Sequence, residues 1–132
     1  MKRLFILLAL LTSSLFTFAQ TNRNKVNLSD KELVNFLWGF AQAHPDGFTI
    51  GIDTFDQPRE GIVVSYAATQ NSFDKKSLPA VIKHAREHEG FVGGWYNPEN
   101  KKYYFDSNRI FPEDSLAAAV KFARENGQHT VY

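Results

Sequence analysis

Three observations predict a single α+β domain. Apolar residues recur at helical spacing in three separate segments, alternating or aromatic-rich runs of four to seven residues lie between them, and the connections are short. The resulting order is α-β-β-α-β-β-α-β. From the second strand onward it reads β-α-β-β-α-β, the split arrangement of ferredoxin-like folds, with the leading helix and strand as additions.

The first helix is signalled by Ser29-Asp30-Lys31-Glu32, which has capping-box spacing, followed by an apolar face of Leu33, Phe36, Leu37 and Phe40. Pro45-Asp46-Gly47 ends it. Phe48 to Ile52 reads as a strand, Asp56 to Gly61 as a turn, and Ile62 to Ala67 as a second strand that is expected to pair with the first as an antiparallel hairpin. After a polar loop over Asn71 to Lys76, a helix is expected from Leu78 to Glu89, with Ser77 as its cap, Pro79 in its first turn and Gly90 just past its end. Phe91 to Tyr96 and Lys102 to Phe105, the latter extending as far as Ile110, form a second hairpin around Asn97-Pro98-Glu99-Asn100. Pro112 precedes a third helix, Asp114 to Glu125, whose expected core stripe is Leu116, Ala119, Val120 and Ala123; Gly127 stops it, and His129 to Tyr132 supplies a last short strand.

The N-terminus reads as a cleavable secretory signal over residues 1–19. Lys2 and Arg3 make a cationic start, Leu4 to Phe18 is mostly apolar but interrupted by Thr12, Ser13, Ser14 and Thr17, and Ala19 is a small residue before the cut. The stretch falls short of the roughly 20 apolar residues a spanning helix needs. Residues 20–28 are expected to be a flexible linker and 29–132 the domain, exported to the periplasm or the exterior.

Removing Lys2 and Arg3 from a chain with 15 Lys+Arg and 14 Asp+Glu leaves a formal charge of −1. That balance offers nothing for nucleic acid, which needs a basic patch, and no later segment is suited to span a membrane. With no cysteine there is no disulfide scaffold, so about 113 residues must be stabilised by burial alone. Twelve Phe, several of them lost with the signal, five Tyr and two Trp provide much of the apolar area.

No stretch specifies a reaction. His84-Ala85-Arg86-Glu87-His88 matches H-x-x-E-H, in which two imidazoles one turn apart hold zinc and the Glu activates its water. The helix is short, a third ligand is not evident, and imidazole also suits the negative end of a helix dipole. A small zinc hydrolase using His84 and His88 is therefore the alternative reading, and no cofactor is expected in the main one. Gly93-Gly94 sits inside a strand, which signals a bulge or a close backbone approach. Trp95 and Tyr96 must face opposite sides of the sheet, as must Tyr103 and Tyr104, so one of each pair is core and the other lies on the far face. There an aromatic row could hold a sugar, a peptide or a protein partner, unless a terminal helix covers it. Gln70-Asn71 and Gln128 are polar clusters at element ends that either make turns or contribute to a ligand site. Parallel pairing of the second and last strands would scatter them.

Thr69-Gln70-Asn71-Ser72-Phe73, Gly93-Gly94-Trp95-Tyr96 with Tyr103-Tyr104-Phe105-Asp106-Ser107, and Arg124-Glu125-Asn126-Gly127-Gln128 together resemble a small family of uncharacterised domains, mostly from Bacteroidetes and in part phage-associated. The resemblance spans roughly Gly47 to Gln128 and implies one compact domain; it brings no catalytic residues. The expectation is an exported, non-enzymatic binding module whose weakly marked ligand residues are Gln70, Asn71, Trp95, Tyr104 and Gln128.

Overall fold

The structure, a computed structural model, describes residues 25–128; the expected signal, its cut after Ala19 and the last strand at His129 to Tyr132 lie outside them. Residues 25–28 have no regular structure, though the Val26 N–H donates to the Asp53 carbonyl at 2.6 Å.

Helix α1 (Asp30–Ala43) starts where the sequence places it: the Ser29 hydroxyl accepts the Glu32 N–H at 3.2 Å, satisfying one of the unpaired donors of the first turn. Leu33, Leu37 and Ala41 form its buried stripe, with Phe36 and Phe40 half-buried beside them. Strand β1 is Phe48–Gly51 and β2 is Ile62–Ser65. A 3₁₀ turn, Ala67–Thr69, leads to the two-residue strand β3 (Ser72–Phe73) and directly into helix α2 (Asp74–Arg86). Strands β4 (Phe91–Asn97) and β5 (Lys102–Phe111) form a long hairpin, and helix α3 is Leu116–Glu125.

All strand pairs are antiparallel, in the order β1-β4-β5-β2, with β3 also on β5. The hairpin expected between β1 and β2 does not form. The seven-residue pairing of β4 with β5, from Phe91↔Asn108 to Asn97↔Lys102, leaves two outer edges; β1 takes that of β4 and β2 that of β5. Strands β2 and β4 therefore run in the same direction with β5 between them, and α2 connects them. This is the split β-α-β unit expected from the element order. Nor does β2 reach Ala67. The chain leaves β5 after Ser65, makes the 3₁₀ turn, and returns as β3, Ser72 opposite Phe105 and Phe73 opposite Tyr104. Tyr66 N–H to the Ser107 carbonyl and Ser107 N–H to the Thr69 hydroxyl, both 2.9 Å, tether the excursion.

Helix α2 starts one turn earlier than the sequence suggests. The Asp74 side chain accepts the Tyr103 N–H at 3.1 Å, and Ser77 donates to the Asp74 carbonyl at 2.8 Å instead of capping the helix. Pro79 is thus internal, on the exposed side of the helix. Helix α3 starts later, at Leu116. That residue is 54% exposed and outside the core, where Ala119 and Ala123 face the sheet.

Cross-strand partners share a face of the sheet. Phe48, Ile50, Val92 and Phe105 lie on one face and pack with α1 and α2; Ile62, Val64 and Phe111 lie on the same face and pack with α3. All three helices thus cover one face. Gly93 and Gly94 lie in unbroken register, so they mark close side-chain packing and no bulge. A Cβ on Gly94 would stand 2.7 Å from the Phe48 ring and 2.9 Å from that of Phe105, and one on Gly93 would stand 2.1 Å from the Asn108 amide nitrogen. Among the described residues no helix is long and apolar enough to cross a membrane.

The burial pattern predicts unequal costs. Phe105→Ala, at a site 1% exposed between both helices' core residues, should lower stability by about 3–5 kcal/mol. Leu116→Ala should change it by less than about 0.5 kcal/mol. Urea unfolding followed by circular dichroism measures both.

Candidate functional site

The face of the sheet opposite the helices is not apolar. Its first row runs Trp95–Tyr104–Phe73 across β4, β5 and β3. Neighbouring rings are 4.9 Å apart at their centroids and tilted by 60° and 59°, and the Lys102 ammonium lies 4.8 Å from the centre of Phe73. The Tyr104 hydroxyl accepts from the Asn97 amide at 3.4 Å and from the Asn100 amide, both from the hairpin end.

The next row is Thr49–Gly93–Asp106, and the one after it Phe91–Asn108–Ser65. Asn108, 3% exposed, connects the two. Its amide lies over Gly93, which has no side chain to obstruct it, with its nitrogen 3.5 Å from the Thr49 hydroxyl; its oxygen accepts from Ser65 at 3.1 Å. The Ser65 hydroxyl is also in hydrogen-bonding reach of Asp106. Burial pushes the Asp106 carboxyl up from 3.8 to about 7, the Ser65 hydrogen bond opposing the rise without cancelling it. Asp106 makes no ion pair among the described residues.

Of the residues singled out in the sequence, Trp95 and Tyr104 come together on this face, both half-buried. Tyr96 and Tyr103 pair on the helix side, where Tyr103 packs edge-on against Trp38 at 5.0 Å. Gln70 and Gln128 also meet, contrary to the scattering expected, because the 3₁₀ turn after β2 abuts the C-terminal end of α3. Both donate to the Asn126 carbonyl, at 3.2 and 3.4 Å, while the Asn126 side chain accepts the Ala67 N–H at 2.9 Å. These amides join two chain segments through backbone groups. Asn71 is exposed with φ 59°, a turn conformation that asparagine tolerates.

Asp106, Asn108, Ser65 and Thr49 were not singled out as site residues. Their only signal was alternation: Tyr104, Asp106 and Asn108 are two apart on β5, and the partner strands were not known.

The His84–His88 pair lies elsewhere, on the helix side. His84 is half-buried and His88 exposed, and their rings stack at 3.8 Å and 10°. The His88 Nδ1 donates to the His84 carbonyl at 2.7 Å, and Glu87 is exposed. Among the described residues no three His, Cys, Asp or Glu side chains are grouped to hold a metal ion. The imidazoles lie instead against Tyr66, their planes tilted from its ring by 60° and 51°, and the Tyr66 hydroxyl donates to the Glu89 carboxylate at 2.6–2.7 Å. Arg109 approaches Glu89 at 3.7 Å and lies over the rings of Phe111 and Phe122. Burial, then the hydrogen bond and charge of Glu89, push the Tyr66 phenol up to about 12. Burial and the neighbouring His88 hold His84 below its ordinary value. The cluster fills the seam between the two parts of the core.

No protein-family model, curated protein or solved structure matches this chain.

The titration of Asp106 predicts a pH signature. The unfolded carboxyl loses its proton near 3.8 and the native one near 7, so native stability from this group is complete at low pH and is lost as pH rises between them. The loss should be on the order of 2–4 kcal/mol by pH 8. His84 has the opposite sign: its lowered value makes the native state lose stability as pH falls below about 6.5. Asp106→Asn should remove only the first effect, so the difference in melting temperature between variant and wild type should be small at pH 4 and should favour the variant at pH 8.

Proposed function

We propose that this chain is an exported, non-enzymatic binding module whose ligand surface is the sheet face opposite the helices. The observation that carries this reading is the composition of that face. A continuous Trp95–Tyr104–Phe73 row adjoins a hydrogen-bonded polar set, Asp106, Ser65, Asn108 and Thr49, on the one face that none of the three helices packs against. Aromatic surface with a few fixed polar groups is the usual make-up of a recognition site, the rings supplying contact area and the polar groups orientation. The side chains are held from a paired sheet, which fixes their spacing before anything binds. Export, which the N-terminal sequence supports, places the partner in the periplasm or outside the cell.

The test separates binding from folding. A panel of peptides, oligosaccharides and small organic compounds is screened against the wild type and against Trp95→Ala and Tyr104→Ala. Each truncation is expected to lower binding of any compound found by at least tenfold while the protein stays folded, because both side chains are half-buried and outside the helix-side core. Collapse of both variants in circular dichroism would assign the two rings to the core and overturn the reading. So would unchanged binding by folded variants.

A further inference from the structure

The charges on the helix-free face are sparse. Strands β1, β2, β3 and β4 place no charged side chain there; β5 places Lys102, Asp106 and the phenol of Tyr104. Lys102 is four residues from Asp106, about 13 Å along the strand at roughly 3.4 Å per residue, and its ammonium is engaged with Phe73. Asp106 is thus a carboxylate at the centre of the face with one hydroxyl, Ser65, beside it and no cationic partner among the described residues. Its ionised form has no counter-charge among the described residues, and a cation arriving from outside would supply one.

The adjoining rings suit the same guest. An oligosaccharide stacks best on a flat platform, but Trp95, Tyr104 and Phe73 are inclined to one another by about 60° and so direct their π faces along different lines. An ammonium group is attracted to each such face by the ring quadrupole. Tyr104 and Asp106 are two apart on one strand, about 7 Å between Cα atoms, so one ammonium group can touch ring and carboxylate together. The Lys102–Phe73 contact is an instance of the same chemistry within the chain.

We propose that Asp106 and the Trp95–Tyr104–Phe73 row together bind a small organic ammonium ion, an inference that rests on the helix-free face being the ligand surface. Binding favours the ionised carboxyl, so affinity rises as Asp106 loses its proton.

Choline and its neutral isostere 3,3-dimethylbutan-1-ol are titrated into the ¹⁵N-labelled protein at pH 5.5 and pH 8.5, followed by amide chemical shifts. Choline is expected to move the amides of Gly93, Trp95, Tyr104 and Asp106, with a Kd at least tenfold tighter at pH 8.5. The isostere should bind at least tenfold more weakly than choline at pH 8.5. Asp106→Asn, which remains folded by circular dichroism, should lose both the pH dependence and the discrimination. Equal binding of choline and the isostere on this face overturns the ammonium inference and leaves the helix-free face standing as a ligand surface. Choline shifts confined to the helix side, or none at all, also overturn the ammonium inference; the face itself then stands or falls with the Trp95 and Tyr104 variants in the panel screen.

Discussion

The β4–β5 hairpin is the constraint on which the rest of the molecule depends, and within it the glycine pair at its centre. Gly94 gives the Phe48 and Phe105 rings the space in which the helix-side core closes; Gly93 gives Asn108 the space to lie across the sheet toward Thr49. Successive residues of a strand point to opposite faces, so two adjacent glycines thin the sheet on both sides at one place. The two edges of the same hairpin then receive β1 and β2 separately. A change at this position would disturb the packing of both faces.

That division gives the faces different physical characters. The helix side is an apolar core in two parts, one under α1 and α2 and one under α3, joined by a polar seam of Tyr66, Glu89, Arg109 and the stacked histidines. In the seam Tyr66 has its carboxylate acceptor, and the Arg109 guanidinium lies over two aromatic rings. The His84 Nδ1 and the Ser107 hydroxyl are buried there or nearby with no hydrogen-bond partner among the described residues, an arrangement that costs stability. The opposite face holds a polar network that runs from Thr49 through Asn108 and Ser65 to Asp106.

Much of the fold was legible because it follows from local rules. Ser29 before a helical apolar stripe, Gly127 after the third helix, and the aromatic hairpin around Asn97 to Asn100 each depend on neighbouring residues alone, and each stands where the sequence places it, whereas α2 stops at Arg86, short of the expected Glu89 beside Gly90. The aromatic alternation was legible too: Trp95 and Tyr104 share one face and Tyr96 and Tyr103 the other. The element boundaries that moved did so through groups distant in sequence. Asp74 begins α2 while its side chain holds the backbone of Tyr103, twenty-nine residues on, and in α3 it is Ala119, Ala123 and Phe122, not Leu116, that pack on the sheet.

By itself, then, the sequence determined the class of fold, the three helices and the four longer strands, and the two-sided character of the hairpin, since helix and strand periodicity and turn chemistry are short-range properties. Only the tertiary structure decided which strands pair. That decision turned the expected β1–β2 hairpin into two separate edges and carried β3 back onto β5. It also decided the candidate site. Gln70 and Gln128 were drawn together at Asn126 and committed to backbone groups, while Asp106, Asn108, Ser65 and Thr49, from three strands up to fifty-nine residues apart, became neighbours. Strand register, the quantity that makes such residues adjacent, is settled by which edges and faces bury best across the whole sheet, and no single segment contains that information.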